Sequence, residues 1–394
     1  MVTDHPQQFA IALGMVGGLS PQKFSFNLLI SPHPYWAKVD LSPYRDMFAE
    51  IHTMTRPDYN WNPLRVAHMI WQIQNLKQKV RQLNIAPNDI IMGFSIFHYL
   101  ENITLSTHPD NLKIAVMPAV VYDECNLYLD PEIYYAPPEG LAAKYLVEPL
   151  TGLHRTRCMR ERKNPRTYWR LRYARPVTEI FDKVVVLGTA PASPRPGAEN
   201  VVTMPFPYVL APQKTGREKP GKPPKVVFFG TNFRNGMWGL TPATYARHLN
   251  KCLAFLKATY GAQYRLVYRP HPAEKNEAAM LDLSGFEIER DGTLAELYFY
   301  GNLEDIYAVF SVESTASRSA FDFFLNAYVF LETFPYSAEA KAHFRLTQAG
   351  SVPGEFYLDN LSSLPVRYVQ PEDIRHTARQ CREVLGGLIP EMQE

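Results

Sequence analysis

Short apolar runs alternate with longer stretches of helical spacing along most of this chain. Residues 24–30, 89–94, 113–117 and 183–188 are nearly continuous apolar runs and read as buried strands. Residues 64–83 place Val66, Met69, Ile70, Ile73, Leu76 and Val80 at the spacing of one helix face. The pattern restarts after residue 224. A strand is expected at 225–230, a helix at 242–259, a strand from 264, a helix near 294, a strand at 308–311, a helix from 314 and a strand at 327–331. Residues 371–385 predict a last helix, stopped by Gly386 and Gly387.

Between the two series, residues 205–224 hold six prolines, two glycines and a cluster of charges, a composition that predicts a linker. The expected organisation is an N-terminal domain at 1–204, a linker at 205–224 and a C-terminal domain at 225–394. Strands alternating with helices on both sides predict the α/β class, as two facing Rossmann-like domains. In such sheets ligands bind outside the carboxyl ends of the strands.

At 394 residues the chain can bury two separate cores. A net charge of +2 gives no global argument for nucleic acid, which is not an expected partner. Four scattered cysteines (Cys125, Cys158, Cys252, Cys381) with no C-x-x-C pair fit a reducing compartment, and neither a disulfide framework nor a zinc site. No apolar run approaches the roughly 18 residues that span a bilayer, and residues 1–9 lack a basic leader. The expected location is the cytoplasm, with any membrane met from its inner surface. The 23 tyrosines and 22 phenylalanines are expected mainly in packing, with sugar-stacking surfaces as their second use.

Candidate chemistry sits at strand ends. The strand from residue 264 ends in Arg269, Pro270, His271 and Pro272; the strand at 308–311 ends at Ser311, followed by Glu313, Ser314 and Thr315 at the start of a helix. An imidazole beside hydroxyls at a helix N-terminus suits a phosphate that must leave. His271 also reads as a plain turn residue, and Ser314 or Thr315 as a plain helix cap. Glu296, on the first turn of the helix near 294, either complements the helix dipole or holds two ribose hydroxyls. In the N-terminal half, Asp123 and Glu124 follow the strand at 113–117, and adjacent carboxylates there read as general bases or as a solvated loop.

Taken in order, Tyr122-Asp123-Glu124, His271-Pro272, Thr293-Leu294-Ala295-Glu296-Leu297 and Ser314-Thr315 resemble the motif series of bacterial sialyltransferases and polysialyltransferases. The series spans roughly half the chain. Cys125 stands where that family usually has glycine, and the proline of the middle segment is missing. The resemblance implies the GT-B arrangement and inverting transfer of sialic acid or a related acidic sugar from a CMP-linked donor to a glycan or glycolipid acceptor. It makes Asp123 or Glu124 the base, His271 the donor to the departing phosphate, Ser314 and Thr315 its cradle, and Glu296 the ribose partner. Gly230, Thr231 and Asn232 then form a donor-facing loop, with Arg269, Pro272 and Ser311 at the donor-side strand ends. Kdo or polyol-phosphate transferases of surface polysaccharide synthesis are the alternative, as is a non-catalytic nucleotide- or glycan-binding protein on the same scaffold.

No Asp-x-Asp pair, G-x-x-x-x-G-K-[ST] loop or G-x-G-x-x-G fingerprint is present, so neither a metal ion nor a cofactor is expected. Residues 154–175 hold eight arginines and one lysine against one glutamate, interleaved with aromatic residues. Arg155, Arg157, Arg160, Arg162, Arg166, Arg170 and Arg172 read either as a solvated helix or loop, or as a surface for an anionic acceptor or anionic lipid headgroups.

Overall fold

The computed structural model describes residues 1–3, 6–19, 24–31, 36, 39–55, 63–94, 99–119, 122, 134–135, 156–161, 170–173, 177–188, 198–211, 222–233, 238–271, 274, 277–347, 352–361 and 364–389. Numbered along the chain, the strands are β1 (Val2–Thr3), β2 (Asn27–Ile30), β3 (Glu50–Thr53), β4 (Ile91–Gly93), β5 (Lys113–Pro118), β6 (Tyr134–Tyr135), β7 (Thr156–Glu161), β8 (Arg170–Tyr173), β9 (Lys183–Leu187), β10 (Val201–Met204), β11 (Lys225–Phe229), β12 (Arg265–Arg269), β13 (Glu287–Ile288), β14 (Ile306–Ser311) and β15 (Asn326–Val329). The chain divides into two compact units, Met1–Pro207 with Gln380–Glu394, and Tyr208–Arg379. Each is Rossmann-like, with a parallel sheet and helical crossovers. Two such units in one chain are the composition of the GT-B class.

The first unit carries a seven-stranded parallel sheet in the order β10-β9-β5-β4-β1-β2-β3. Its crossovers reverse direction between β1 and β4. The predicted helix is present as Pro63–Gln82, and its Ile73, Leu76 and Val80 pack against Ile91, Ala115, Met117, Val184 and Val186 of the sheet. A helix not anticipated from the glycines at positions 14, 17 and 18 runs over Pro6–Gly18. Phe9 through Leu13 are fully buried in it, as expected of a helix apolar all round. Within the basic stretch, the described residues 156–161 and 170–173 form strands rather than a helix: β7 pairs antiparallel with β8, with Arg157 in register with Arg172. The alternation of arginine with other residues in Arg170-Leu171-Arg172-Tyr173 is the period-2 signal that the helical reading passed over.

The second unit carries five parallel strands in the order β13-β12-β11-β14-β15. The chain starts at the central β11, moves out to β12 and β13, then returns to the other side of β11 as β14 and β15. The switch point therefore lies between β11 and β14. Register places Tyr268, Phe228, Phe310 and Tyr328 side by side on four adjacent strands. Their rings stack at centroid distances of 5.8 Å for Phe228–Tyr268 and 4.8 Å for Phe310–Tyr328. Such aromatic cross-strand pairs are each worth roughly 0.2–1 kcal/mol beyond Ala–Ala pairs. Against the sheet lies the helix Pro242–Tyr260, which buries Tyr245, Leu249, Leu253 and Leu256. It starts at Thr241, whose side chain accepts from the Thr244 N–H at 3.2 Å, with Pro242 pre-set for the first turn.

Two boundaries differ from the sequence reading. The expected linker 205–224 is not one throughout: Phe206, Tyr208, Leu210 and Ala211 are buried, and Pro207–Leu210 form a 3-10 turn. Tyr208 stacks on Phe323 at 4.4 Å, so the aromatics override the proline-rich composition. Residues 212–221 lie outside the described residues. The last helix runs through both glycines to Leu388. Leu385, Leu388 and Ile389 are buried there, and Lys183 Nζ donates to the Leu388 carbonyl at 2.8 Å and to that of Gly387 at 3.2 Å. Burial of one leucine contributes about 1.5–3 kcal/mol, which offsets roughly 1 kcal/mol lost at each glycine. This last segment belongs to the first unit, not to a C-terminal domain ending at 394. Among the described residues, no helix is long and apolar enough to cross a membrane.

Candidate functional site at the strand ends of the second unit

Phe229 is in register with Arg269 on one side and with Ser311 on the other. The three strands therefore end at one level, and the segments that follow them leave the sheet together. These segments hold Gly230, Thr231 and Asn232; His271 and Glu274; and Glu313, Ser314 and Thr315.

Direct contacts join them. The Gly230 N–H donates to the Arg269 carbonyl at 2.8 Å. A Cβ at Gly230 would lie 2.5 Å from the Tyr268 hydroxyl and 2.9 Å from Glu274 Oε2, so only glycine lets this loop sit so low. Glu274 is buried, accepts from the Tyr268 hydroxyl at 3.1 and 3.2 Å, and accepts the His271 N–H at 3.2 Å. His271 is half-buried, and burial pushes its imidazole below the usual value, so it is neutral at pH 7.

Across the switch point stands Glu313, 8% exposed. It accepts from the Tyr245 hydroxyl at 3.2 and 3.3 Å. Burial pushes its carboxyl up to about 7, while the hydroxyls of Thr231, Tyr245 and Tyr336 favour the ionised form. Tyr336 is 7% exposed, and its hydroxyl faces Glu313. Ser314 caps the helix Thr315–Asp322, accepting from the Ala316 N–H at 3.2 Å, and Thr315 is exposed at its first position.

The other expected residues have defined places. Ser311 is fully buried, 2.7 Å from the Ser317 hydroxyl, which donates to the Tyr328 carbonyl. Arg269, 4% exposed, donates to Glu289, Asp291 and the Thr293 carbonyl and lies 3.8 Å over the Tyr298 ring. Its guanidinium thus pins residues 289–293 to the sheet edge. Asp291 loses part of its solvation there, yet its hydrogen bond with Arg269 holds its carboxyl below the usual value. Glu296 is 4% exposed and accepts from Ser319 at 2.6 Å. Pro272, Asp123, Glu124, Arg155, Arg162 and Arg166 lie outside the described residues. Arg157, Arg160, Arg170 and Arg172 lie on β7 and β8. Among the described residues, no group of three or more His, Cys, Asp or Glu could hold a metal ion.

The sequence reading named neither Glu274 nor Tyr245 as a site residue, nor did it give Glu313 a role. Trp238 also went unnoticed: it is 47% exposed, with φ of 45° and its ring 4.7 Å from that of His343. A non-glycine residue in that backbone region is uncommon. In the first unit, Glu101 is fully buried and accepts the Phe94 N–H at 2.8 Å, just past the end of β4.

No protein-family model matches this sequence, and a search of curated proteins finds no match. Solved structures similar to this chain include the UDP-GlcNAc 2-epimerase of Neisseria meningitidis bound to UDP-GlcNAc, at 9% identity and a TM-score of 0.48 over 99% of this chain and 98% of that one. The α/β-galactoside α-2,3-sialyltransferase of Photobacterium phosphoreum is similar at 11% identity and 0.45, over 88% and 93%. MnaA of S. aureus, solved with UDP, is similar at 14% identity and 0.45, over 92% of each chain.

Proposed function

We propose that the strand ends of the second unit bind the phosphate of a nucleotide sugar, and that the chain is a glycosyltransferase. The observation that carries this reading is that three adjacent strands end at one level, and the segments leaving them bring His271, the loop at 230–232 and Ser314 and Thr315 to the same end of the sheet, with Thr231 hydrogen-bonded to Glu313. They lie over a sheet switch point, where parallel α/β sheets bind ligands. Backbone N–H groups at the start of the Thr315–Asp322 helix favour an anion, and Ser314 and Thr315 add hydroxyls. His271, neutral at pH 7, donates one ring N–H to the departing phosphate rather than a full positive charge.

The donor class this reading favours is a CMP-linked acidic sugar such as sialic acid, moved with inversion to a glycan or glycolipid. Asp123 or Glu124 then removes the acceptor proton, and Glu296 holds the ribose. The exposed ring of Trp238 offers a stacking face to a base or sugar. The arginines of residues 155–172 serve the acceptor side or an anionic membrane surface.

The test is a thermal-shift series with CMP, CDP, UDP and GDP, followed by hydrogen-exchange mapping. A nucleotide that binds the folded state raises its stability. CMP or CDP is expected to stabilise and to protect amides at residues 230–232, 271 and 314–316. Protection confined to the first unit overturns the assignment. His271→Ala is expected to cut turnover by about 10²–10⁴ with the fold retained; near-normal turnover leaves His271 a turn residue only.

A further inference from the structure

Glu313 is a carboxyl group placed where a phosphate site would be expected to exclude one. It immediately precedes Ser314, the cap of the Thr315–Asp322 helix. An ionised carboxylate there opposes any anion bound at the helix start. Among the described residues, the groups that face it supply no cation. Thr231 comes from the loop after β11, Tyr245 from the helix Pro242–Tyr260 and Tyr336 from the segment after β15, and all three offer hydroxyls. Tyr268 of β12 acts on Tyr245, and its own hydroxyl donates to Glu274. Neither lysine nor arginine acts on Glu313 among the described residues.

We propose that Glu313 is a positioning residue that holds Thr231 and the loop at 230–232 for phosphate binding, and that it takes up a proton from solvent when the phosphate arrives. The inference rests on reading these strand ends as a phosphate site. Neutral Glu313 keeps its hydrogen bonds to Tyr245 and Thr231 and removes the repulsion. Its new O–H can donate, and the buried Tyr336 hydroxyl, which hydrogen-bonds the ionised carboxylate, is placed to accept it. The burial that raises its carboxyl to about 7 brings its titration into the neutral range, where the proton uptake can be read.

The experiment is calorimetric titration of the full chain with CMP at pH 7, in two buffers of different protonation enthalpy. It is run on the wild type, Glu313→Gln and Tyr336→Phe. The titration of CMP itself is common to all three. The wild type is expected to take up about half a proton more than Glu313→Gln, because a group with a pKa near the working pH is half-protonated. From pH 6 to pH 8 its affinity should fall up to about tenfold more than that of Glu313→Gln. Tyr336→Phe, which loses a hydroxyl that favours the ionised form, should move this fall to higher pH. Equal proton uptake by the wild type and Glu313→Gln, with both binding CMP, overturns the role of Glu313 and leaves the nucleotide site standing. Absence of CMP binding to the wild type between pH 6 and pH 8 overturns both.

Discussion

Glu313 also ties the stability of the second unit to pH. Its folded carboxyl titrates at about 7, against an ordinary 4.5. Between those values the folded chain keeps a proton that the unfolded chain has lost. Stability therefore falls as pH rises from 4.5 to 7 and levels off above. A rise of this size corresponds to about 3 kcal/mol at most. Hydrogen exchange of the β11 amides reads the opening of this unit. Glu313→Gln, which cannot ionise, should gain on the wild type through that window and hold the gain at pH 8. Parallel pH curves for the two proteins reject a raised carboxyl. At this scale the sequence showed only part of the cluster at these strand ends. The placement of His271 past a strand end and of Ser314 and Thr315 at a helix start was legible because those are local patterns. Glu274 and Glu313 were not, because what distinguishes them is burial. Glu313 is buried against Tyr245, 68 residues away, and against a tyrosine and a threonine from two other loops. A carboxylate in a sequence reads as solvated until the fold shows what surrounds it.

Most elements of the second unit were legible, from β11 to the helix Thr315–Asp322, because apolar runs and helical spacing agree there with the final packing. The row Tyr268, Phe228, Phe310 and Tyr328 was not, since register between strands depends on pairs 18 to 82 residues apart in sequence. Where local propensity and packing disagreed, packing won. Gly386 and Gly387 weaken the last helix but do not end it, because Leu388 and Ile389 beyond them are buried. Among the described residues, nothing lies within 4 Å of a Cβ built on either glycine. Gly386→Ala and Gly387→Ala are therefore expected to stabilise the first unit, each by up to about 1 kcal/mol, as in any exposed helix interior. Denaturant unfolding of each variant measures this, and a loss at either position means that the helix end needs its glycine.

At the scale of the whole molecule, two α/β units were legible, but not the way the chain is shared between them. A proline-rich composition located the junction near the right place, yet Tyr208–Ala211 are part of a packed unit. The helix Pro371–Leu388 contributes residues to both, with the division at Arg379 and Gln380. Ending the chain at Arg379 removes Leu385, Leu388 and Ile389 from the core of the first unit. At about 1.5–3 kcal/mol each, three such side chains approach the roughly 5–15 kcal/mol that holds a whole domain folded. The same cut takes no residue from the second unit, whose sheet and strand-end loops lie within Tyr208–Arg379. The truncated chain is therefore expected to lose the protection of β5 and β9 amides to hydrogen exchange while β11 and β14 stay protected. Calorimetry should show one transition weakened or absent and the other retained. Nucleotide binding, read by thermal shift, should persist in the transition that remains. If β11 and β14 lose protection together with β5 and β9, the units fold as one and the division at Arg379 is not energetic. If neither does, the last fifteen residues contribute no stability to the first unit.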